Sequence, residues 1–162
     1  MKILPFTFIV VFIDQLSKYW VKNNFILNVS ENVIGNLIRV TYIENPGIAF
    51  GISVGPYLNV LTFFSYGAIL FIIYYLYSER NSNFIVRFSL AIILGGALGN
   101  IIDRSLVVFY PDQFYGVVDF IDIGIGKYRW YIFNVADSMV TVGIILYFIQ
   151  SIQLSRQKSE SY

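Results

Sequence analysis

Between Glu44 and Glu79 the chain carries no charged residue, and that stretch limits its possible surroundings more than any other feature. A helix needs about 20 mostly apolar residues to cross a bilayer, and Tyr57 to Tyr77 supplies them. Three more apolar stretches follow the same pattern. One covers about 3–21 and is interrupted by Asp14, Gln15, Ser17 and Lys18. Another covers about 84–106, with Arg87 near one end and Asp103-Arg104 near the other; the last covers about 134–154, with Asp137 near its start. Charged residues make up only 13% of the chain, against about 25% in a soluble domain. So few charges do not cover a water-facing surface, and lipid is the expected solvent. The expected class is membrane all-α with a small β element, one domain over 1–162 with four transmembrane helices near 3–21, 57–77, 84–106 and 134–154.

The first stretch has the Lys2-then-apolar opening of a signal peptide, but Asp14 and Lys18 break the run and no small-x-small site follows. It is expected to stay as the first helix. The segment 23–55 is polar, and within it Val33 to Ile43 (VIGNLIRVTYI) is rich in β-branched and aromatic residues between turn signals. A small sheet or hairpin resting on the membrane surface is expected there. The segment 107–133 is punctuated by Pro111, Gly116, Gly124 and Gly126, and Tyr115 to Ile123 (YGVVDFIDI) reads as a strand. The polar tail from Ser155 is expected to fray. Four helices put both termini on one side. Lys2, Arg80, Arg87, Arg156 and Lys158 nearly balance Lys18, Lys22, Arg39, Arg104, Lys127 and Arg129, so positive charge does not orient the chain.

The chain has no cysteine and no histidine. That removes disulfides, thiol nucleophiles, thiolate and imidazole metal ligands, and a Ser-His-Asp triad. A net charge of +1 with no basic stripe gives no sign of a nucleic-acid partner. No metal or cofactor is expected. Any acid-base chemistry must come from Asp, Glu, Lys, Tyr or water.

Ionisable side chains at membrane depth cost roughly 2.5–3.5 kcal/mol each, so those present are paired or functional. Asp14 and Lys18, four apart, share a helix face. They read first as a neutralising pair and second as chemistry. Asn100, Asp103 and Arg104 share a face after Gly95 and Gly99, a small-xxx-small pair. They read equally as a polar packing cluster or as a shelf for a substrate backbone. Asn45, in Asn45-Pro46-Gly47, is a turn cap or a substrate contact. Asp137 follows Asn134, which can cap the fourth helix, so a capping acid is its plain reading. For Asp119 the plain reading is a solvated strand-end carboxylate like Asp122. The alternative makes Asp119 and Asp137 a catalytic pair. Two carboxylates held close do not both ionise cheaply; the ionised one takes a proton from water while the protonated one donates to a carbonyl.

The sequence resembles lipoprotein signal peptidase, also called signal peptidase II. The segments that carry the likeness are Asp14-Gln15-Leu16-Ser17-Lys18, Asn45 to Gly51 (NPGIAFG), Gly95 to Arg104 (GGALGNIIDR), Val117 to Asp122 (VVDFID) and Phe133 to Ser138 (FNVADS), in that order over nearly the whole chain. The resemblance implies a bacterial plasma (inner) membrane enzyme with both termini cytoplasmic, and 23–55 and 107–133 extracytoplasmic together with the active site. It implies an aspartic endopeptidase cutting diacylglyceryl-modified prolipoproteins just before the lipidated cysteine, with membrane lipid and globomycin-type inhibitors as further partners, acting as a monomer. It assigns catalysis to Asp119 and Asp137 and substrate contact to Asn45, Asn100, Arg104 and Asn134. Asp14, Lys18 and Asp103 are structural or site residues. The competing classes are a small transporter using Asp14, Asp103 and Asp137 as a proton or cation path, and a membrane scaffold packing through Gly95 and Gly99.

Overall fold

The computed structural model describes residues 2–48, 52–53 and 58–159. Ala49 to Gly51 of the NPGIAFG run, and Tyr57 at the expected start of the second helix, lie outside these residues. Among the described residues there are four long helices: α1 (Leu4–Asn24), α2 (Leu58–Ser78), α3 (Phe84–Phe109) and α4 (Val135–Ser159). A short 3-10 turn at Glu79–Asn81 joins α2 to α3. The strands are β1 (Ser30–Ile34), β2 (Ile38–Asn45), β3 (Gly47–Ile48), β4 (Ile52–Ser53), β5 (Val117–Ile125) and β6 (Tyr128–Arg129).

Local sequence accounts for the helix ends. α1 opens with proline in its first turn, where no N–H is missed. It closes with the Asn23 and Asn24 side-chain amides donating to the Tyr19 and Trp20 carbonyls at 2.7 and 2.8 Å, and the Phe25 N–H donates to the Val21 carbonyl, one of the last four acceptors, at 3.0 Å. Asn83 caps α3 by accepting from the Val86 N–H at 2.9 Å. At the start of α4 the capping is reciprocal. The Asp137 N–H donates to Asn134 Oδ1 at 2.9 Å, and the Asn134 N–H donates to Asp137 Oδ2 at 3.2 Å. α4 continues as helix to Ser159, so 155–159 are helical where fraying was expected, and 160–162 lie outside the described residues.

Among the described residues, α2, α3 and α4 are long and apolar enough to cross a membrane. α1 is 21 residues long but carries Asp14, Lys18 and Lys22. Its pattern is the reverse of a soluble helix: Thr7, Val10, Asp14, Lys18 and Val21 face inward, while Phe8, Phe12, Leu16 and Tyr19 are exposed. α2 likewise exposes Phe63, Phe64, Leu70, Phe71 and Tyr74 and buries only Thr62, Ile69 and Leu76. Exposed apolar area on this scale is unsuited to water. The chain is a multi-pass membrane protein.

α3 is the central helix and packs against the other three. Its glycines permit this closeness. A Cβ on Gly95 would lie 2.7 Å from Val10 Cβ, and one on Gly99 would lie 2.5 Å from Asp14 Oδ2, so both glycines face α1. A Cβ on Gly96 would strike the Ala136 carbonyl oxygen and lie 2.7 Å from Val140 Cγ2, so this glycine faces α4. One apolar core joins Ile3 to Ile69, Leu76, Leu90 and Leu94 of α2 and α3. A second joins Val21 to Tyr42, Val118 and Phe120 beneath the sheet.

The β-rich segment between α1 and α2 forms its hairpin, turning at Gly35 with φ +50°. The sheet extends further than that segment. Its order is β1-β2-β5-β6, all antiparallel, so β2 from the first interhelix segment pairs with β5 from the second. β5 begins and ends two residues later than the expected 115–123 strand. The pairing sets Ile43 opposite Asp119 and Asn45 opposite Val117. An isolated bridge from Ile121 to Phe133 then leads the chain into α4.

Overpacking a tight contact costs about 1–3 kcal/mol. Gly96→Ala is therefore expected to lower the unfolding temperature in detergent by several degrees. Gly67→Ala, with nothing within 4 Å of the added methyl, should leave it unchanged or raise it. Thermal melts of both variants beside the parent check this.

Candidate active site

The polar residues gather where β5 meets the first turn of α4. Asp119 is 3% exposed, although it reads in sequence as a solvated strand end, because β2 pairs along the strand and α1 and α3 pack against it. Asp122 is also buried, paired with Arg129 at 2.6 Å and accepting from Thr41 at 3.0 Å; it belongs to the sheet.

Asn134, fully buried, joins the two aspartates. Its Nδ2 donates to Asp119 Oδ1 at 2.7 Å, while its backbone and Oδ1 engage Asp137 in the capping pair. Asp119 Oδ2 accepts from Asn45 Nδ2 at 3.0 Å, and Asp137 Oδ1 accepts from Asn100 Nδ2 at 2.7 Å. Asn134 Nδ2 also lies 3.0 Å from Asn100 Oδ1. Asn45, Asn100, Asn134, Asp119 and Asp137, from five different elements or junctions, thus form one hydrogen-bonded cluster.

The three polar residues of α3 point apart despite their common face. Asn100 serves Asp137, whereas Asp103 turns to α1 and takes an ion pair from Lys18 at 2.9 Å. Arg104 turns to α2, where its Nη1 reaches Ser65 Oγ at 3.3 Å. The Arg104 Nε is buried with no hydrogen-bond partner among the described residues. Asp14 and Lys18 do pair, at 2.8 Å, but Lys18 holds Asp103 as well, so the pair is part of a larger network.

Asp137 opens onto two adjoining cavities. One, of ≈ 320 Å³, lies between α2, α3 and α4 and is lined by Ser65, Ala97, Asn100, Arg104, Tyr131 and Val140, among others. The other, of ≈ 220 Å³, lies on the far side of Tyr131 beneath Trp130 and Phe133. Polar groups from α2, α3, α4 and the segment before α4 therefore share the cleft with apolar lining. Sequence reading passed over Gln15, Ser65 and Tyr131 at this site. Gln15, a polar residue beside Asp14 in an apolar run, carried the only signal. Among the described residues no group of three His, Cys, Asp or Glu side chains is arranged to hold a metal ion.

Burial, and then the charge of Asp137, pushes the Asp119 carboxyl up to about 7; the hydrogen bond from Asn45, the charge of Lys18 and the hydrogen bond from Asn134 act the other way. A buried acid beside a second acid that faces a cleft can position and activate water against a carbonyl. Such a cleft in a multi-pass membrane protein is suited to hydrolysis at the membrane.

The family model described as "Signal peptidase (SPase) II" matches residues 6–153. Similar proteins include the lipoprotein signal peptidase of Syntrophus aciditrophicus (strain SB), 36% identical over 93% of this chain and 92% of that protein. Another is the lipoprotein signal peptidase of Moorella thermoacetica (strain ATCC 39073 / JCM 9320), 39% identical over 90% of this chain and 89% of that protein. A solved bacterial membrane enzyme structure, obtained by the in meso method at 2.3 Å resolution, aligns with a TM-score of 0.79 at 30% identity, covering 97% of this chain and 91% of that one. A second, at 1.9 Å, gives 0.72 at 31% identity over 92% and 91%. The chain belongs to the signal peptidase II family, peptidases that remove signal peptides from prolipoproteins.

The raised Asp119 carboxyl makes stability depend on pH. Between the ordinary value of 3.8 and about 7 the folded protein holds a proton that the unfolded chain releases. That stabilisation is complete below the lower value and lost as pH climbs through the upper one. Thermal melts should show the parent losing stability from about pH 4 to pH 7 relative to Asp119→Asn. Parallel curves for the two proteins would contradict the assignment of the proton to Asp119.

Proposed function

We propose that this peptidase is an aspartic endopeptidase that cuts just before the diacylglyceryl-cysteine of lipid-modified prolipoproteins, with Asp119 and Asp137 as its catalytic pair. The observation that carries the reading is the cluster in which Asn134 bonds to both carboxylates while Asp137 faces the cleft. The pair holds one proton, and Asp119 is its favoured site because burial and Asp137 both disfavour a second charge there. Asp137, accepting from Asn100 and the Asn134 N–H at a helix N-terminus, takes the proton from water. The water oxygen attacks the scissile carbonyl carbon, and Asp119 donates to the carbonyl oxygen. As the C–N bond of the tetrahedral intermediate breaks, Asp137 gives its proton to the leaving amine and the hydroxyl formed on the carbonyl oxygen returns one to Asp119, leaving a carboxylic acid product and the pair as it began. Asn45, Asn100, Asn134 and Arg104 hold the substrate backbone and the pair, and the buried Arg104 Nε is a donor available to a bound carbonyl.

The same reading covers the membrane arrangement. α1 becomes the fourth spanning helix, since its charged groups face inward and Phe8, Phe12 and Leu16 face outward. At about 1.5 Å per residue its length matches the hydrocarbon thickness of about 30 Å. The β1-β2-β5-β6 sheet rests on the extracytoplasmic surface of the bacterial inner membrane with the site beneath it, and both termini are cytoplasmic. Exposed Ile125, Tyr128 and Trp130 suit the interfacial region. The chain acts as one domain and as a monomer, with lipid around it and globomycin-type peptides as inhibitors.

Purified parent, Asp119→Asn and Asp137→Asn, given a diacylglyceryl-modified prolipoprotein, test this by gel shift. Expected is cleavage by the parent alone, blocked by globomycin, with both variants reduced at least about 10³-fold. Undiminished cleavage by either variant would remove the pair from the mechanism.

A further inference from the structure

Behind each member of the proposed pair stands another carboxylate, bonded to the backbone one residue before it. Asp14 Oδ1 accepts from the Ala136 N–H at 2.9 Å, immediately before Asp137. Asp103 Oδ2 accepts from the Val118 N–H at 3.3 Å, immediately before Asp119. Two donors on α1 tie these carboxylates together. Lys18 Nζ lies 2.8 Å from Asp14 Oδ2 and 2.9 Å from Asp103 Oδ2. Gln15 Nε2 lies 3.2 Å from Asp14 Oδ2 and 3.1 Å from Asp103 Oδ1. Lys18 also donates to Asn100 Oδ1 at 3.1 Å, on the amide that in turn donates to Asp137.

An ammonium has three donors, and all three of these acceptors surround Lys18, which is 3% exposed. Neutralising one buried acid would take only one partner. Here one cation serves two acids, and each acid gives an oxygen to the backbone beside a member of the pair. α4 and β5 are separate elements, so their separation near the site has to be set by something that touches both. Gly99 keeps the route open, since a Cβ there would lie 2.5 Å from Asp14 Oδ2. Lys18 and Gln15 line a separate cavity of ≈ 160 Å³ with Tyr19, Lys22 and Phe114, away from the cleft onto which Asp137 opens.

We infer that Lys18 is a positioning residue that sets the spacing of Asp119 and Asp137 through Asp14 and Asp103, with Gln15 as the second tie. The inference rests on the catalytic pair proposed above. Lys18 acts without touching substrate, so its loss changes turnover and leaves binding in place. A misplacement of about 1 Å in reacting groups costs about 10²-fold in rate.

The test is kinetic, on full-length protein in detergent with a diacylglyceryl-modified prolipoprotein, each variant measured at its own pH optimum. Lys18→Met should lower kcat about 100-fold with KM within about threefold of the parent. Gln15→Met removes a neutral tie without stranding a charge, so it folds even where Lys18→Met does not. It should lower kcat about tenfold at unchanged KM. In Lys18→Met/Asp14→Asn the melting temperature should recover in part, because one of the two stranded buried acids has been neutralised, while kcat stays low. Recovery of kcat together with melting temperature would reduce Lys18 to a stability role and overturn the inference, as would parent-like kcat in Gln15→Met. With the parent active and Asp119→Asn inactive, those results overturn the positioning role alone. A folded parent that leaves the lipidated substrate uncut, or an active Asp119→Asn, overturns the catalytic pair and the inference with it.

Discussion

The need to satisfy buried charge governs the centre of this protein. Asp14, Lys18, Asp103 and Asp119 are each under 9% exposed. Isolated ions would be far too costly there, and removing one partner of such a group typically costs 3–5 kcal/mol. Every element that approaches the junction is therefore drawn in by a specific bond. α1 supplies Lys18 and Gln15, α3 supplies Asn100 and Asp103, β2 supplies Asn45, and the entry to α4 supplies Asn134. The apolar faces of the helices supply little direction of their own, since lipid is as good a solvent for them as another helix. Small residues let α3 approach α1 and α4 closely, and the polar network selects the register at which they meet.

The sheet has a related function. By pairing β2 with β5 it joins the two segments that leave the helical bundle at the same end. Asp119 then stands beside α4 and within reach of Asn45, which a free loop would not ensure. The resulting site is hydrogen-bonded around the carboxylates and opens through Asp137 onto a cleft of mixed polar and apolar lining. The proposed division of labour between Asp119 and Asp137 follows from surroundings: the first is enclosed by sheet and helix, the second caps a helix and faces the cavity.

Much of this was legible in the sequence. The uncharged run from Glu44 to Glu79 and its apolar neighbours determined that lipid is the solvent, because span length and charge scarcity are one-dimensional quantities. The lack of histidine and cysteine limited any acid-base chemistry to Asp, Glu, Lys, Tyr or water, and the order of five short motifs specified the family. The β-character of 33–43 and of the stretch around Asp119 was likewise local information. Tertiary structure alone decided that these strands share one sheet, since pairing between residues some 80 positions apart leaves no local trace. It also decided that Asp119 and Asp122 are buried, that Asp103 and Arg104 diverge from Asn100, and that Gln15 joins two carboxylates. Periodicity tells which residues share a face, but the direction of a side chain depends on what the neighbouring helix offers it.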